Sequence, residues 1–217
     1  MAQATALKFD ELNRLNGKTA IPYREFFGKM HISVAQMKRR IEIAEAFEDA
    51  MLYVFAYWLF RDDLGLSESD MKEITREKIR GVYDRYTRSD EYTEKAIDKL
   101  ADEIIDATAR NTEDADSPTS YWTSRDRAQI IAENEANSLE NYNEYRDAKA
   151  KGFKTKTWLT EADDKVRLTH TLVEKKTVDI DGLFLVGDSL MRFPRDSEYD
   201  PDPNEVINCR CSCIYEP

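Results

Sequence analysis

The chain has few residues that interrupt helices, with 7 glycines and 6 prolines among 217 residues. Glutamate, lysine, alanine and arginine are frequent, so the composition indicates a helix-rich fold. Apolar residues make up 41% and charged residues 35% of the chain, as in a soluble, strongly charged protein. Its length allows an ordinary hydrophobic core in one or two domains.

The sequence also lacks a hydrophobic run long enough to cross a membrane. Its longest apolar run, Met51–Phe60, has ten residues, whereas a membrane-spanning helix needs about 20. No basic segment leads into an apolar core at the N-terminus, so no secretory signal is predicted. We therefore expect no membrane association, and reduced thiols in a cytoplasm.

An excess of basic residues is missing as well. Lysine and arginine total 32 against 43 aspartates and glutamates, which gives a net charge of −11. A dedicated DNA-binding module should carry a basic stripe, so this charge disfavours DNA as a partner. The densest basic patch is Lys38-Arg39-Arg40, and we expect it to be a solvated helix face.

Helical periodicity extends to about residue 150 and predicts about four helices. The expected N-caps of the first three helices are Ser33, Ser67 and Ser89, because a serine hydroxyl accepts a hydrogen bond from a free backbone N–H. The fourth helix is expected to run from about Ser124 to Lys151. Gly65 is expected to end the first helix, which runs to about Arg61, and Gly152 the fourth.

The polar face of the first helix disappears near Met51. The second half of this helix is therefore expected either to be buried on all sides or to dock on another chain. In the second case its apolar residues would occupy a hydrophobic groove of a partner. The candidate partner-binding residues are Met51, Val54, Phe55, Trp58 and Phe60.

After Gly152 the pattern changes to the alternation typical of half-buried strands. Three strands are predicted, at Phe153–Leu159, Val178–Val186 and Val206–Tyr215. An acidic loop with two prolines, Asp196–Asn204, precedes the last of them. The predicted fold class is therefore α+β, with a helical N-terminal region followed by a small antiparallel-sheet C-terminal module.

All three cysteines of the chain lie at alternate positions, 209, 211 and 213. On an extended strand their thiols point to one face. The favoured interpretation is that they are free thiols packed as small hydrophobic side chains. The alternative is a Zn²⁺ site formed by His170, Cys209 and Cys211, with Cys213 or Asp163 as the fourth ligand.

Strand geometry opposes this zinc site. Same-face residues on a strand lie about 6.5–7 Å apart, whereas two sulfurs on one Zn²⁺ are at most about 4.6 Å apart. The strand must therefore bend, or its side chains converge, before Cys209 and Cys211 can share a metal. The same Cα separation disfavours a disulfide between these two cysteines.

The densest group of polar motif residues is Trp158-x-Thr160-x-x-Asp163-x-x-Val166-Arg167-x-x-His170. Thr160 and Asp163 are expected to cap a turn or short helix, and Trp158 to anchor the small sheet. We expect a structural network in which Asp163 pairs with Arg167 and His170 holds the C-terminal strand. The alternative is a general acid–base site with an arginine for phosphate.

The order of these motifs resembles the phage Mu F-like minor head protein family, also called phage head morphogenesis proteins. The resemblance covers about residues 125–217 and includes the Arg127-Ala128 start of the last helix. Arg195 stands where the family usually has the glycine of P-G-D. The motif residues that carry the resemblance in the C-terminal module are Trp158, Thr160, Asp163, Arg167, His170, Asp196, Asn208 and Arg210.

The resemblance implies a virion role without enzymatic activity. Members are minor capsid proteins, so the implied partners are the phage portal and other capsid proteins. The implied location is the phage head, reached from the host cytoplasm. Residues 1–120 would be a helical region that contacts virion proteins, and residues 121–217 the head morphogenesis domain. The alternative function is a metal-dependent hydrolase or nuclease-type effector that uses His170 and the cysteines.

Overall fold

The computed structural model describes residues 23–117, 119–161 and 163–217. The helices are α1 Tyr23–Phe27, α2 Val34–Leu59, α3 Arg61–Leu64, α4 Glu68–Tyr86, α5 Glu91–Ala109, α6 Thr112–Ala115, α7 Arg125–Ala150, α8 Leu168–Thr171 and α9 Pro203–Val206. The strands are β1 Thr155–Leu159, β2 Thr177–Asp179, β3 Phe184–Val186, β4 Ser189–Met191 and β5 Ser212–Glu216. The α+β fold class is thus confirmed. Within the described residues, no helix is long and apolar enough to span a membrane.

The long helices α2, α4, α5 and α7 begin close to the predicted positions. Ser67 and Asp70 form a reciprocal capping box at α4, and Ser124 Oγ accepts a hydrogen bond from the backbone of Arg127 at 3.2 Å. Two details differ. Asp90 caps α5 in place of Ser89. The first long helix, α2, already ends at Leu59, and Gly65, at φ 66°, ends the short helix α3 instead.

The chain divides into two compact units. Of the described residues, Ile43–Ala132 belong to the first unit, and residues 23–42 together with Glu133–Pro217 belong to the second. The division therefore falls within α7 and differs from the boundary predicted at residue 120. The second unit also includes the first turns of α2.

The apolar second half of α2 is buried. Met51 and Val54 have no exposed surface, and Phe55 and Trp58 are each 2% exposed. The prediction that these four residues form a partner-binding surface is therefore wrong. The alternative, burial on all sides, holds only for one face, because Tyr53 and Tyr57 stay partly exposed. Phe60, the fifth candidate, is partly exposed.

Arg127 is a buried cation of the first unit, 6% exposed. Its guanidinium donates hydrogen bonds to Thr108 Oγ1 at 2.7 Å, to the carbonyl of Ile104 at 3.1 Å and to the carbonyl of Trp122. It also lies 5.2 Å from the centroid of the Phe55 ring. Burial lowers the pKa of Arg127 to about 10, but the guanidinium stays charged at neutral pH.

The second unit contains a three-stranded antiparallel sheet with the order β2-β1-β5 and a separate β3-β4 hairpin. Lys156 and Trp158 on β1 are fully buried. Two predicted strands differ from the structure. A turn at Gly182 divides Val178–Val186 into β2 and β3, and Val206–Tyr215 starts at the end of α9, so only its last part belongs to β5.

Arg40 is fully buried, so the expectation that the basic patch is a solvated face is wrong for this residue. Its guanidinium donates to Asn137 Oδ1 at 3.0 Å, Asn141 Oδ1 at 2.9 Å and Glu144 Oε1 at 2.8 Å. These three partners lie on α7 at positions i, i+4 and i+7, which share one helix face. Arg40 thereby joins the start of α2 to α7 inside the second unit.

Candidate functional site

A row of asparagines on α7 holds the backbone of the cysteine segment. We call it the asparagine ladder, and it comprises Asn134, Asn137 and Asn141. The backbone N–H of Asn208 donates to Asn134 Oδ1 at 2.7 Å. Asn137 Nδ2 donates to the carbonyl of Cys209 at 3.0 Å, and Asn141 Nδ2 to that of Cys211 at 3.4 Å. The ladder therefore places residues 208–211 without using any of their side-chain sulfurs.

The cysteine segment is bent at its start. Asn208 has a φ of 57°, in the left-handed region, and the backbone N–H of Cys209 donates to the carbonyl of Val206 at 3.2 Å. Strand β5 begins only at Ser212. The expectation of one straight strand through all three cysteines is therefore wrong, because Cys209 and Cys211 lie before β5 and only Cys213 lies on it.

Cys209 and Cys211 converge on His170, and we call these three residues the His–Cys cluster. His170 Nδ1 lies 3.2 Å from Cys211 Sγ and 3.8 Å from Cys209 Sγ. All three ligand atoms lie within 4.8 Å of one another, and all three side chains are buried. The predicted fourth ligands are not part of this group, since Cys213 lies on β5 opposite Trp158 and Asp163 pairs elsewhere.

The other ring nitrogen of His170 faces a carboxylate. Nε2 lies 3.0 Å from Glu205 Oε2 on α9, and the same oxygen accepts a hydrogen bond from Thr169 Oγ1 at 2.8 Å. The Trp158 ring packs edge-on against the imidazole, with centroids 5.9 Å apart. A carboxylate at Nε2 favours the tautomer with the proton on that nitrogen, which leaves the Nδ1 lone pair facing the two sulfurs.

The two thiols differ in acidity. A hydrogen bond from Cys211 and the proximity of His170 lower the pKa of Cys209 well below its ordinary value, although burial opposes this. The hydrogen bond to Cys209 and burial raise the pKa of Cys211. Burial by itself would lower the pKa of His170. The hydrogen bond and the charge interaction with Cys209 together outweigh burial, so the pKa of His170 is raised. Cys209 is therefore the more acidic of the two thiols, and the thiolate is the form of cysteine that binds metals.

A small cavity lies beside the His–Cys cluster. Its volume is about 20 Å³, and Arg167 and Arg210 line it together with the three cluster residues. This volume is enough for about one water-sized ligand. The cluster therefore has room for a small additional group on one side.

The predicted pairing of Asp163 with Arg167 is wrong, whereas His170 contacts the C-terminal segment as predicted. Asp163 instead forms a two-pronged ion pair with Arg210, at 2.7 and 3.0 Å, and this guanidinium lowers the pKa of Asp163. Arg167 donates to the backbone carbonyl of Ile207. Arg167 and Arg210 therefore both attach the C-terminal segment to the turn region after β1. The network holds this segment as predicted, but through different partners.

Asp163 caps the turn after β1, as expected. Asp163 Oδ1 accepts a hydrogen bond from the backbone N–H of Lys165 at 3.0 Å. The backbone N–H of Thr160 donates to Glu174 Oε2 at 2.5 Å, which joins the end of β1 to the segment after α8. The Thr160 side chain is buried.

Asp196 anchors the turn that follows β4. It is fully buried, and it accepts hydrogen bonds from the backbone N–H and from the guanidinium Nε and Nη2 of Arg192 at 2.7–2.9 Å. The preceding residue, Arg195, has a φ of 68°, a left-handed conformation that favours glycine. Its side chain donates to Asn134 Oδ1 at 2.6 Å and pairs with Glu135 at 3.2 Å. These contacts hold the residue in that conformation.

Three features of the site were not identified from the sequence: the asparagine ladder, Glu205 and buried Arg40. The spacing of the ladder was a usable signal, because residues at i, i+3 and i+7 share one helix face. Glu205 has no such signal, since it follows the acidic stretch predicted to be a loop. Comparisons with protein families, curated proteins and solved structures found no match to this chain.

Proposed function

We propose that this protein is a phage or prophage minor head protein whose C-terminal module binds other head proteins during procapsid assembly. The observation that supports this proposal is that two acidic motif residues form ion pairs within the module. Asp163 pairs with Arg210 and Asp196 pairs with Arg192. Side chains engaged in this way stabilise a compact module, as a structural binding role requires.

Four exposed leucines of the second unit are candidate partner contacts, in place of the buried residues of α2. They are Leu168 and Leu172 on or beside α8, which are 75% and 63% exposed, and Leu185 and Leu190 on the hairpin, 60% and 42% exposed. Leu185 and Leu190 lie directly opposite each other in the register of β3 and β4. Leu185 and Leu190 therefore form one exposed apolar pair, which is the candidate contact with a partner protein.

The test is binding to the portal protein encoded beside this chain in its own phage or prophage. We expect the two proteins to co-elute in size-exclusion chromatography. The double variant Leu185→Ser and Leu190→Ser should weaken the complex at least about tenfold, since interface anchors commonly cost more than 1.4 kcal/mol when removed. Leu64→Ser, a change at an exposed leucine of the first unit, is the matched control. The absence of binding to the portal, scaffold and capsid proteins of that genome would refute the head role.

A metal-dependent hydrolase or nuclease-type effector remains the second candidate. The observation that favours it is the His–Cys cluster beside a cavity of about 20 Å³ lined by two arginines. A zinc ion with an open position can activate water, and arginine binds phosphate. Turnover of a phosphodiester substrate by wild type, lost in His170→Ala, would favour this function over a purely structural one.

A further inference from the structure

We propose that the His–Cys cluster is a Zn²⁺ site with three protein ligands: His170 Nδ1, Cys209 Sγ and Cys211 Sγ. The fourth position would face the small cavity and hold a water molecule. This assignment concerns a binding site and is independent of the proposed head role. It keeps the three ligands of the alternative that the sequence offered to packed free thiols, but neither Cys213 nor Asp163 is the fourth ligand.

The separations within the cluster match a tetrahedral zinc ion. With Zn–N near 2.0–2.1 Å and Zn–S near 2.3 Å, a tetrahedral site places nitrogen and sulfur about 3.5 Å apart. His170 Nδ1 lies 3.2 Å from one sulfur and 3.8 Å from the other. The two distances bracket the required value, so shifts of a few tenths of an ångström would suffice to admit the ion.

Glu205 supplies the second contact that zinc-bound histidines usually have. A ligating imidazole commonly donates its other N–H to a carboxylate, which fixes the tautomer and raises the basicity of the ligand. Glu205 Oε2 lies 3.0 Å from His170 Nε2 and also accepts a hydrogen bond from Thr169. Packing of small hydrophobic thiols does not require a histidine oriented in this way.

The backbone that carries the sulfurs is held independently of the metal. Asn137 and Asn141 bind the carbonyls of Cys209 and Cys211, and the left-handed turn at Asn208 directs this segment away from α9 before β5 begins. A site held by its surroundings loses little conformational entropy on binding, which favours affinity. Cys213 provides the internal contrast, because it is equally buried but lies outside the cluster.

The cavity explains why three protein ligands are enough. It is large enough for about one water, and zinc sites with three protein ligands commonly complete their tetrahedron with water. Arg210, which also lines the cavity, pairs with Glu161 and Asp163.

Zinc content and X-ray absorption of the full-length wild-type protein test the site without any substitution. After purification without chelators and addition of excess ZnCl₂ followed by gel filtration, we expect one zinc per chain. The absorption spectrum should show two sulfur ligands at about 2.3 Å and the remaining nitrogen or oxygen ligands near 2.0–2.1 Å. Protein that retains no zinc, or zinc bound without sulfur, would overturn the assignment.

Substitutions then identify the ligands. Competition with a chromogenic chelator should show that Cys209→Ser and Cys211→Ser each weaken zinc binding by at least about 100-fold, and Glu205→Gln by about 10–100-fold. Cys213→Ser is the matched control and should bind zinc as wild type does. Equal loss in Cys213→Ser, or full affinity in Cys209→Ser, would contradict the ligand set. Circular dichroism identifies any variant that fails to fold, and the wild-type absorption spectrum then decides.

Discussion

At the scale of single residues, a buried aspartate fixes the conformation of a turn in the second unit. Asp196 has no exposed surface and is surrounded by donors from Arg192. A buried ion pair is often no more stabilising than apolar residues of the same volume, but removal of one partner leaves an uncompensated charge. Such residues therefore specify the local structure strongly even where they add little net stability.

Replacement of Asp196 by alanine should lower the free energy of unfolding by about 3–5 kcal/mol, because Arg192 and the backbone of the turn lose their shared acceptor. Urea denaturation followed by circular dichroism measures this change. Asp164→Ala, at an exposed aspartate of the same unit, should change stability by less than about 0.5 kcal/mol. Similar losses in both variants would contradict the role given to Asp196.

Lys156 should make stability depend on alkaline pH. Its Nζ is buried, donates to the carbonyl of Ile180 at 2.5 Å and lies 4.9 Å from the centroid of the Tyr145 ring. Burial lowers its pKa to about 8 from 10.5. Between these two pH values the unfolded chain holds the proton more tightly than the folded one, so stability should rise with pH.

Between about pH 8 and 10.5, the free energy of unfolding of wild type should therefore rise by up to about 3 kcal/mol relative to that of Lys156→Met. Below pH 8 the difference between the two proteins should stay constant. Denaturation midpoints measured across this range supply the comparison. Lys154→Met, a change at an exposed lysine just before β1, should follow the wild-type pH dependence. Parallel curves for wild type and Lys156→Met would show that the ammonium is not destabilised by burial.

At the scale of elements, α7 organises the second unit through polar rather than apolar contacts. The asparagine ladder on α7 binds three backbone groups of residues 208–211. Arg40 binds Asn137 and Asn141 at the same time. Asn137 and Asn141 therefore donate through Nδ2 and accept through Oδ1. Loss of either side chain leaves a polar group without its partner both on α2 and in the cysteine segment.

Asn137→Ala should lower the free energy of unfolding by about 2–4 kcal/mol, because the carbonyl of Cys209 and the Nε of Arg40 each lose a buried partner. Asn204→Ala, at an exposed position on α9, is the control and should remain within about 0.5 kcal/mol of wild type. Chemical denaturation of both variants gives the values. A loss below about 1 kcal/mol for Asn137→Ala would mean that water replaces its contacts.

Elements also differ in how well local sequence predicts them. The start of α4 is determined by a reciprocal pair between Ser67 and Asp70, three residues apart, so the sequence contains the whole interaction. The segment Val206–Tyr215 alternates as a strand should, yet its first part is bent. The partner that holds the bend is Asn134, 74 residues away, and periodicity carries no information about such a contact.

At the scale of the whole molecule, the apolar run Met51–Phe60 contributes to folding. Phe55 is 2% exposed, and Arg127 lies 5.2 Å from its ring. Phe55→Ala should therefore cost about 3–5 kcal/mol of folding stability. Thermal unfolding monitored by circular dichroism tests this, with Leu64→Ala as the control because Leu64 is 39% exposed. A stable Phe55→Ala variant would restore the view that this face is reserved for a partner.

The sequence by itself determined the helix-rich α+β class, the four long helices and the approximate strand regions, because periodicity and capping act between residues close in the chain. Only the tertiary structure decided which charges are buried, that Asp163 pairs with Arg210, and that Met51–Phe60 lies mostly inside. It also decided that Cys209 and Cys211, but not Cys213, meet His170. These outcomes depend on contacts between residues roughly 40–100 positions apart, which local patterns do not encode.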